Sequence, residues 1–265
     1  MLYLVLIIVS FGACLIGAIC GIGGGVIIKP LLDATGIMPV DSLSFLSGCT
    51  VWGMSVVSVI KKRRQTGRNI NEVFDIKLAT GMALGSVLGG LAGKSLYQGV
   101  IHTFQDTNRI GAIQAAVLLV LTLGALLYTL LRERIKSLHI RSRSFGFFVG
   151  ALLGIMSSFL GIGGGPINLI VLYFFFSMGT KQAAGYSLYI IMFSQTASLV
   201  STFISGQTPE FKLLYLGLML VSGILGGAAG SSFMKRLEDK TVDRLFRMLL
   251  VIIIVLCSYN FYKYI

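Results

Sequence analysis

The chain has 265 residues, 55% of them hydrophobic and only 12% charged, with 33 glycines. A soluble domain carries about 25% charged residues, so polar groups cannot cover this surface and a water-soluble globule is excluded. The net charge of +12 does not point to nucleic acid, because the basic residues sit in short clusters between apolar runs, where orientation in a membrane explains them.

The start, Met1-Leu2-Tyr3-Leu4, lacks a positively charged leader and no A-x-A cleavage site follows, so residues 2–20 read as a retained first helix. Further apolar segments fall at 26–38, 43–60, 73–96, 110–131, 145–160, 166–178, 183–204, 213–233 and 245–262. Most have the 17–25 residues that a membrane-spanning helix needs. Segments 26–38 and 166–178 do not: thirteen residues make about 20 Å of helix against a hydrocarbon core of about 30 Å. Both follow the same pentapeptide, Gly21-Ile22-Gly23-Gly24-Gly25 and Gly161-Ile162-Gly163-Gly164-Gly165.

The offset of 140 residues, from Gly21 to Gly161, also carries Ser47 onto Ser187. Gly89-Gly90-Leu91-Ala92-Gly93 matches Gly226-Gly227-Ala228-Ala229-Gly230 at 137, from Gly89 to Gly226. The chain is therefore an internal duplication, 1–131 and 144–265, joined by a basic linker at 132–143. Three basic clusters, Lys61 to Arg68, Arg132 to Arg143 and Lys235 to Arg247, all belong on the cytoplasmic side. Between the second and third, the chain must cross an even number of times. Segments 183–204 and 213–233 supply two crossings, so 145–178 begins and ends in the cytoplasm. It is a hairpin with glycines at its turn, re-entrant or doubly crossing. The first hairpin, by the same count, begins and ends outside. The expected fold is an all-α polytopic membrane protein of two inverted repeats, each a glycine-broken helical hairpin plus three transmembrane helices, with 8–10 membrane segments overall.

Four glycines in five residues cannot form a stable helix interior, since each costs about 1 kcal/mol relative to Ala. Irregular backbone at membrane depth survives only against protein or a water-filled cavity. Each run should deliver the N-terminus of a short helix, with free N–H groups and partial positive charge. Such an end suits an anion, and glycine lets it approach the backbone. The expected substrate-binding residues are Gly21, Gly23, Gly24, Gly25, Gly161, Gly163, Gly164 and Gly165. Lys29 either pairs with the anion, or pairs with Asp33 one turn on, or reaches to the interface. Asn168 offers an amide donor, and Ser47, Ser187 and Gln195 lie nearby on the following helices, beside Thr50 and Ser194. Gly85, Gly89, Gly93, Gly223, Gly226 and Gly230 read instead as close helix packing.

An enzyme is not indicated. His102 and His139 are expected in loops, and neither HExxH nor GxSxG is present. The GIGGG runs lack the last glycine of a dinucleotide fingerprint. Cys14, Cys20, Cys49 and Cys257 have neither CxxC nor CxxH spacing and read as small packing residues. No cofactor or metal is expected.

Two GxGGG turns, GIGGGVIIKPLL and GIGGGPINLIVL, joined by a basic linker, resemble the sulfite exporter TauE/SafE family, also called the toluene-sulfonate uptake permeases. That resemblance covers essentially the whole chain. It implies a multi-pass bacterial inner-membrane transporter of sulfur-containing anions such as sulfite or organosulfonates, and it carries over Gly23, Gly24, Gly25, Gly163, Gly164 and Gly165. Lys29 and Asn168 rest on the residues alone. The expected partners are a small anion and the lipid bilayer, not nucleic acid; a homo-oligomer is left open. Since no Asp or Glu lies deep in a segment, the driving force expected for export is the membrane potential, about 2.3 kcal/mol per charge per 100 mV. A passive anion channel and a non-transporting scaffold are the alternatives.

Overall fold

The computed structural model describes residues 2–65, 75–104, 107–132, 134–140, 142–206 and 208–264, and all regular structure among them is helical. Five helices lie between residues 2 and 131: α1 (Leu2–Cys20), α2 (Gly25–Thr35), α3 (Val40–Gln65), α4 (Ile76–Phe104) and α5 (Thr107–Leu131). Five lie between residues 143 and 264: α6 (Arg143–Leu160), α7 (Pro166–Phe176), α8 (Thr180–Ile204), α9 (Leu213–Arg236) and α10 (Asp239–Tyr264). Seven of these helices, all but α2, α4 and α7, are long and apolar enough to cross a membrane. The protein is an all-helical, multi-pass membrane protein.

Local chemistry sets the helix ends. Gly21 and Gly161 stop α1 and α6 with φ of 78° and 61°, a left-handed conformation that only glycine adopts cheaply. Pro166 opens α7 at a position where its missing N–H is harmless. Ser142 caps α6 by accepting from the Phe145 N–H at 3.5 Å. α2 and α7 have 11 residues each and reach only about 16 Å.

The helix ends sort into two faces. At one, Lys62 donates to the Lys181 carbonyl at 2.8 Å, Lys61 to that of Ala228 at 2.8 Å, and Arg132 pairs with Asp243 at 3.7 Å. All three basic clusters contribute to this basic end. At the other, Tyr264 donates to Asp33, Ser42 to the Glu210 carbonyl at 2.8 Å, and the rings of Tyr3 and Tyr215 lie 6.0 Å apart. α2 runs back to the end from which α1 starts, where Lys263 reaches the Asp33 carbonyl at 3.1 Å. α7 runs back to the basic end, where the Leu138 and Ile140 N–H groups donate to Phe174 and Phe175, both at 2.8 Å.

Partners are exchanged between the repeats. α1 packs along α9 and, in the equivalent arrangement, α6 packs along α4. Both contacts are ladders of glycine against backbone. A Cβ on Gly85, Gly89 or Gly93 would collide with the carbonyls of Phe147, Ala151 or Ile155, and one on Gly154 would lie 2.5 Å from that of Ser86. Gly226 and Gly230 meet the Phe11 and Leu15 carbonyls of α1 in the same way. The packing expected of these small-residue motifs is what the structure has. In a membrane, where lipid tails are as apolar as Leu, such close approach is a main source of helix association.

One expectation needs correction. α4 runs to Phe104, well beyond residue 96, so His102 belongs to a helix and not to a loop. Tyr97, Val100, Ile101 and Phe104 keep the i, i+3, i+4, i+7 spacing of a helix past residue 96, where the apolar run stops. Arg68, Glu72, Asp106 and Arg141 lie outside the described residues.

Gly89→Ala should destabilise the protein by about 1–3 kcal/mol, the usual cost of overpacking. Gly124→Ala, where a Cβ meets open space, should be neutral or stabilising by up to about 1 kcal/mol. Thermal unfolding in detergent micelles checks both.

Candidate functional site

The two glycine turns meet each other. A Cβ on Gly23 would lie 3.1 Å from the Gly163 carbonyl oxygen, and one on Gly25 would collide with that of Ile162. The surroundings obey the repeat. Gly163 faces Val51, with a Cβ distance of 2.9 Å, while Gly23 faces Ile191, the residue 140 further along, at 3.4 Å. Gly161 packs on Ser44 and Gly21 on Ala184, again 140 apart. Gly24 backs onto Cys14 of α1, its Cβ position 3.0 Å from that Cα. All four cysteines are free and buried. Both turns are thus tightly packed. The space beside Gly164, Gly165 and Asn168 is about 10 Å³, at the lower limit for one water.

Backbone donors accumulate here. Among the described residues, the N–H groups of Gly23, Gly24, Gly25 and Val26 have no acceptor, nor do those of Gly163, Gly164, Gly165 and Ile167. Buried N–H groups without partners are rare in proteins. Polar side chains beside them are also unpaired: the Ser47 Oγ, the Ser158 Oγ and the Asn168 Oδ1 are buried with no hydrogen-bond partner. The Ser47 Oγ lies 2.9 Å from the Cβ position of Gly25. Asn168 Nδ2 donates to the Ser187 Oγ at 3.3 Å, so Asn168 and the symmetry-related serines do come together around the turns. Thr50 and Ser194 instead bond carbonyls of their own helices, Leu46 at 2.8 Å and Ile191 at 3.2 Å.

Lys29 neither pairs with Asp33 nor reaches to the interface. Its ammonium donates to Gln114 Oε1 at 2.6 Å and to the Leu160 carbonyl at 2.7 Å. Gln114 in turn donates to the Phe159 carbonyl at 2.8 Å. The last turn of α6 presents carbonyls and partial negative charge, and Lys29 with Gln114 neutralises it. Asp33 turns to the C-terminal helix instead, accepting from Tyr264. A space of about 20 Å³ beside Lys29, Gln114 and Asn260 has room for one water.

The larger cavity lies to one side. About 240 Å³ in volume, it is bounded at depth by Gly48, Ser158, Gly161 and Gln195 and at its mouth by Asp41, Lys94 and Pro209. Asp41 and Pro209 also border a wide recess at the end opposite the basic face, so this vestibule opens there. Among the described residues, Lys94 is the one cation in its wall; the carboxylate of Asp41 accepts from Tyr97. Gln195 lies in the wall, its Nε2 donating to the Ser157 Oγ at 3.3 Å. The sequence reading missed Lys94, Tyr97, Ser158 and Ser198, which lie on three helices and share no spacing signal. Gln114 was missed too, 85 residues from the lysine it holds.

A multi-pass helical bundle with two broken hairpins meeting inside, and a polar vestibule leading to them, defines a membrane transporter. The chain matches the family described as sulfite exporter TauE/SafE over residues 6–257, and it belongs to that family of membrane transporters. It is also 27% identical, over 110 residues, to the "Probable membrane transporter protein YunE" of Bacillus subtilis (strain 168). That alignment covers 42% of this chain and 39% of the relative, so the match spans about two fifths of the relative's length. No solved structure matches.

Lys29→Met should destabilise the protein by about 1–3 kcal/mol, because the Leu160 carbonyl and Gln114 lose their donor. Ser47→Ala should leave stability unchanged, since its hydroxyl bonds nothing. Melting curves in detergent distinguish the two.

Proposed function

We propose that the protein is a secondary transporter that exports small sulfur-containing anions, sulfite or organosulfonates, by alternating access. The observation that carries this reading is the meeting of two glycine turns whose N–H groups, with the Ser47 hydroxyl beside them, have no acceptor among the described residues. An oxyanion is the ligand such a set satisfies: it accepts several hydrogen bonds at once and gains from the positive ends of α2 and α7. Gly21, Gly23, Gly24 and Gly25 would frame it from one repeat and Gly161, Gly163, Gly164 and Gly165 from the other. Ser187 and Gln195 would complete the polar surround. Lys29 serves the site indirectly, by cancelling the carbonyl end of α6.

The two repeats, 1–131 and 144–265, have opposite orientations in this reading. Support comes from the return of α2 to the non-basic end and of α7 to the basic end, and from the positive-inside rule, which makes the basic end cytoplasmic. Inverted repeats with broken helices at their interface are the architecture of secondary transporters. The direct contact of the two turns, Gly23 against the Gly163 carbonyl, argues against a standing pore. The bacterial origin of the relative and the basic end favour the inner membrane of a bacterium.

The test is flux into proteoliposomes. Sulfite or toluenesulfonate should move with saturable kinetics, and Ser47→Ala or Asn168→Leu should lower the rate about tenfold, the worth of one hydrogen bond to a charged ligand. A valinomycin-set potassium potential, inside positive, should speed uptake of the anion at equal pH on both sides. A rate blind to potential but raised by a pH gradient would assign the drive to protons. Pro209→Cys and Glu238→Cys should label from opposite sides of the membrane; same-side labelling would refute the inverted arrangement.

A further inference from the structure

The two halves of the molecule differ in one respect: the vestibule is open on one side of the pseudo-symmetry and shut on the other. At the offset of 140, Phe159, Gly161 and Ser198 correspond to Ile19, Gly21 and Ser58; at 137, Lys94 corresponds to Ser231. The first member of each pair is partly exposed along the open vestibule. Each second member is buried: Ile19 at 6%, Ser58 at 1% and Ser231 at 8% exposure, with Gly21 pressed onto the Ala184 backbone. These mates lie at the basic end, where Lys62 of α3 donates to the Lys181 carbonyl at the start of α8, at 2.8 Å. On the open side the equivalents of Lys181 and Lys62 are Asp41 and Thr202, both in the cavity wall.

We infer that the basic end carries a second vestibule, closed in this structure, lined by Ser58, Ser231 and Gly21, and that the bond from Lys62 to the Lys181 carbonyl latches it. This deepens the transport reading and rests on it for its purpose, though not for its geometry. The buried polar character of the lining favours it. The Ser58 hydroxyl reaches only the Gly227 carbonyl, at 3.4 Å, and Ser231 bonds within its own helix, so neither is engaged across the α3–α8 seam that would part. The open state breaks the bond from Lys62 to the Lys181 carbonyl, at a place where water and lipid headgroups can replace it. Closing the other vestibule would bring α8 towards α3 at Asp41 and Thr202 in exchange.

The experiment reads thiol labelling and flux on the full chain in vesicles. Ser58→Cys and Val59→Cys, both nearly conservative in volume, are exposed to a membrane-impermeant methanethiosulfonate from the basic side. The parent protein, with four buried cysteines, sets the baseline. With the second state populated at about 1–10%, labelling should run at a hundredth to a tenth of the rate of Ser198→Cys from the opposite side. A short bifunctional thiosulfonate joining Lys62→Cys to Lys181→Cys should abolish toluenesulfonate flux, and reductant should restore it. Flux that persists through a complete cross-link, with Ser58→Cys and Val59→Cys at the parent baseline, overturns the second vestibule and leaves transport standing. Labelling from the basic side in a protein that moves neither toluenesulfonate nor sulfite upholds the vestibule and overturns the transport reading instead.

Discussion

A side chain on Gly25 would run into the Ile162 carbonyl, one on Gly89 into that of Ala151, and one on Gly226 into that of Phe11. Backbone touches backbone at these three junctions, and the rest of the architecture depends on that approach. Lipid offers no hydrophobic reward for joining two helices, so close packing must supply the attraction. The same glycines that allow it remove the side chains that might have capped the broken helices. The turns are left with donors and no acceptors, and the neighbouring polar groups, Ser47 and Asn168, are partly unpaired as well. Tight packing and an unfilled appetite for hydrogen bonds have a common origin.

The carbonyl ends of the same turns are treated differently. α6 stops in the interior, where Leu160 and Phe159 would face the low-dielectric core unbonded. Lys29 and Gln114 answer both, with a charge that can be buried only because it is so placed. α1 has no such partner. Its terminal carbonyls are closed by glycine geometry, the Gly17 oxygen accepting from the Gly21 and Ile22 N–H groups at 2.8 and 3.1 Å. Lys29 thus marks a structural difference between the two turns: one is braced by a cation and borders the open vestibule, and the other is sealed against Ala184.

Much of this was legible in the residues. The duplicated pentapeptide announced both breaks, because no helix keeps four glycines in five positions, and the short segments after them placed the starts of α2 and α7 within one residue but ran two or three residues past their ends. Packing of the small-residue motifs was legible for the same reason, being a property of spacing on one helix. The vestibule was not. Its wall takes Lys94 from α4, Ser158 from α6 and Gln195 from α8, and each is unremarkable on its own helix. The partner of Lys29 was hidden too, because Gln114 belongs to another helix, while the visible carboxylate one turn away, Asp33, bonds Tyr264. The extension of α4 past residue 96 escaped because Lys94, Ser95, Gln98 and Gly99 interrupt the apolar run, although Tyr97, Val100, Ile101 and Phe104 keep a helical spacing.

The exchange of helices between repeats constrains the order of synthesis. α1 leaves the ribosome first, yet the surface that receives it, Gly226 and Gly230 of α9, is made some two hundred residues later. Until then its packing face must wait in the bilayer, shielded only by lipid or by an insertion factor. α4 is better served, since α6 follows it within forty residues or so. The second repeat can therefore complete the first only after both are inserted, and neither half owns a finished core. Two half-chains made separately should assemble with one another but not persist alone, and a gene split at the basic linker would be tolerated where a truncation is not.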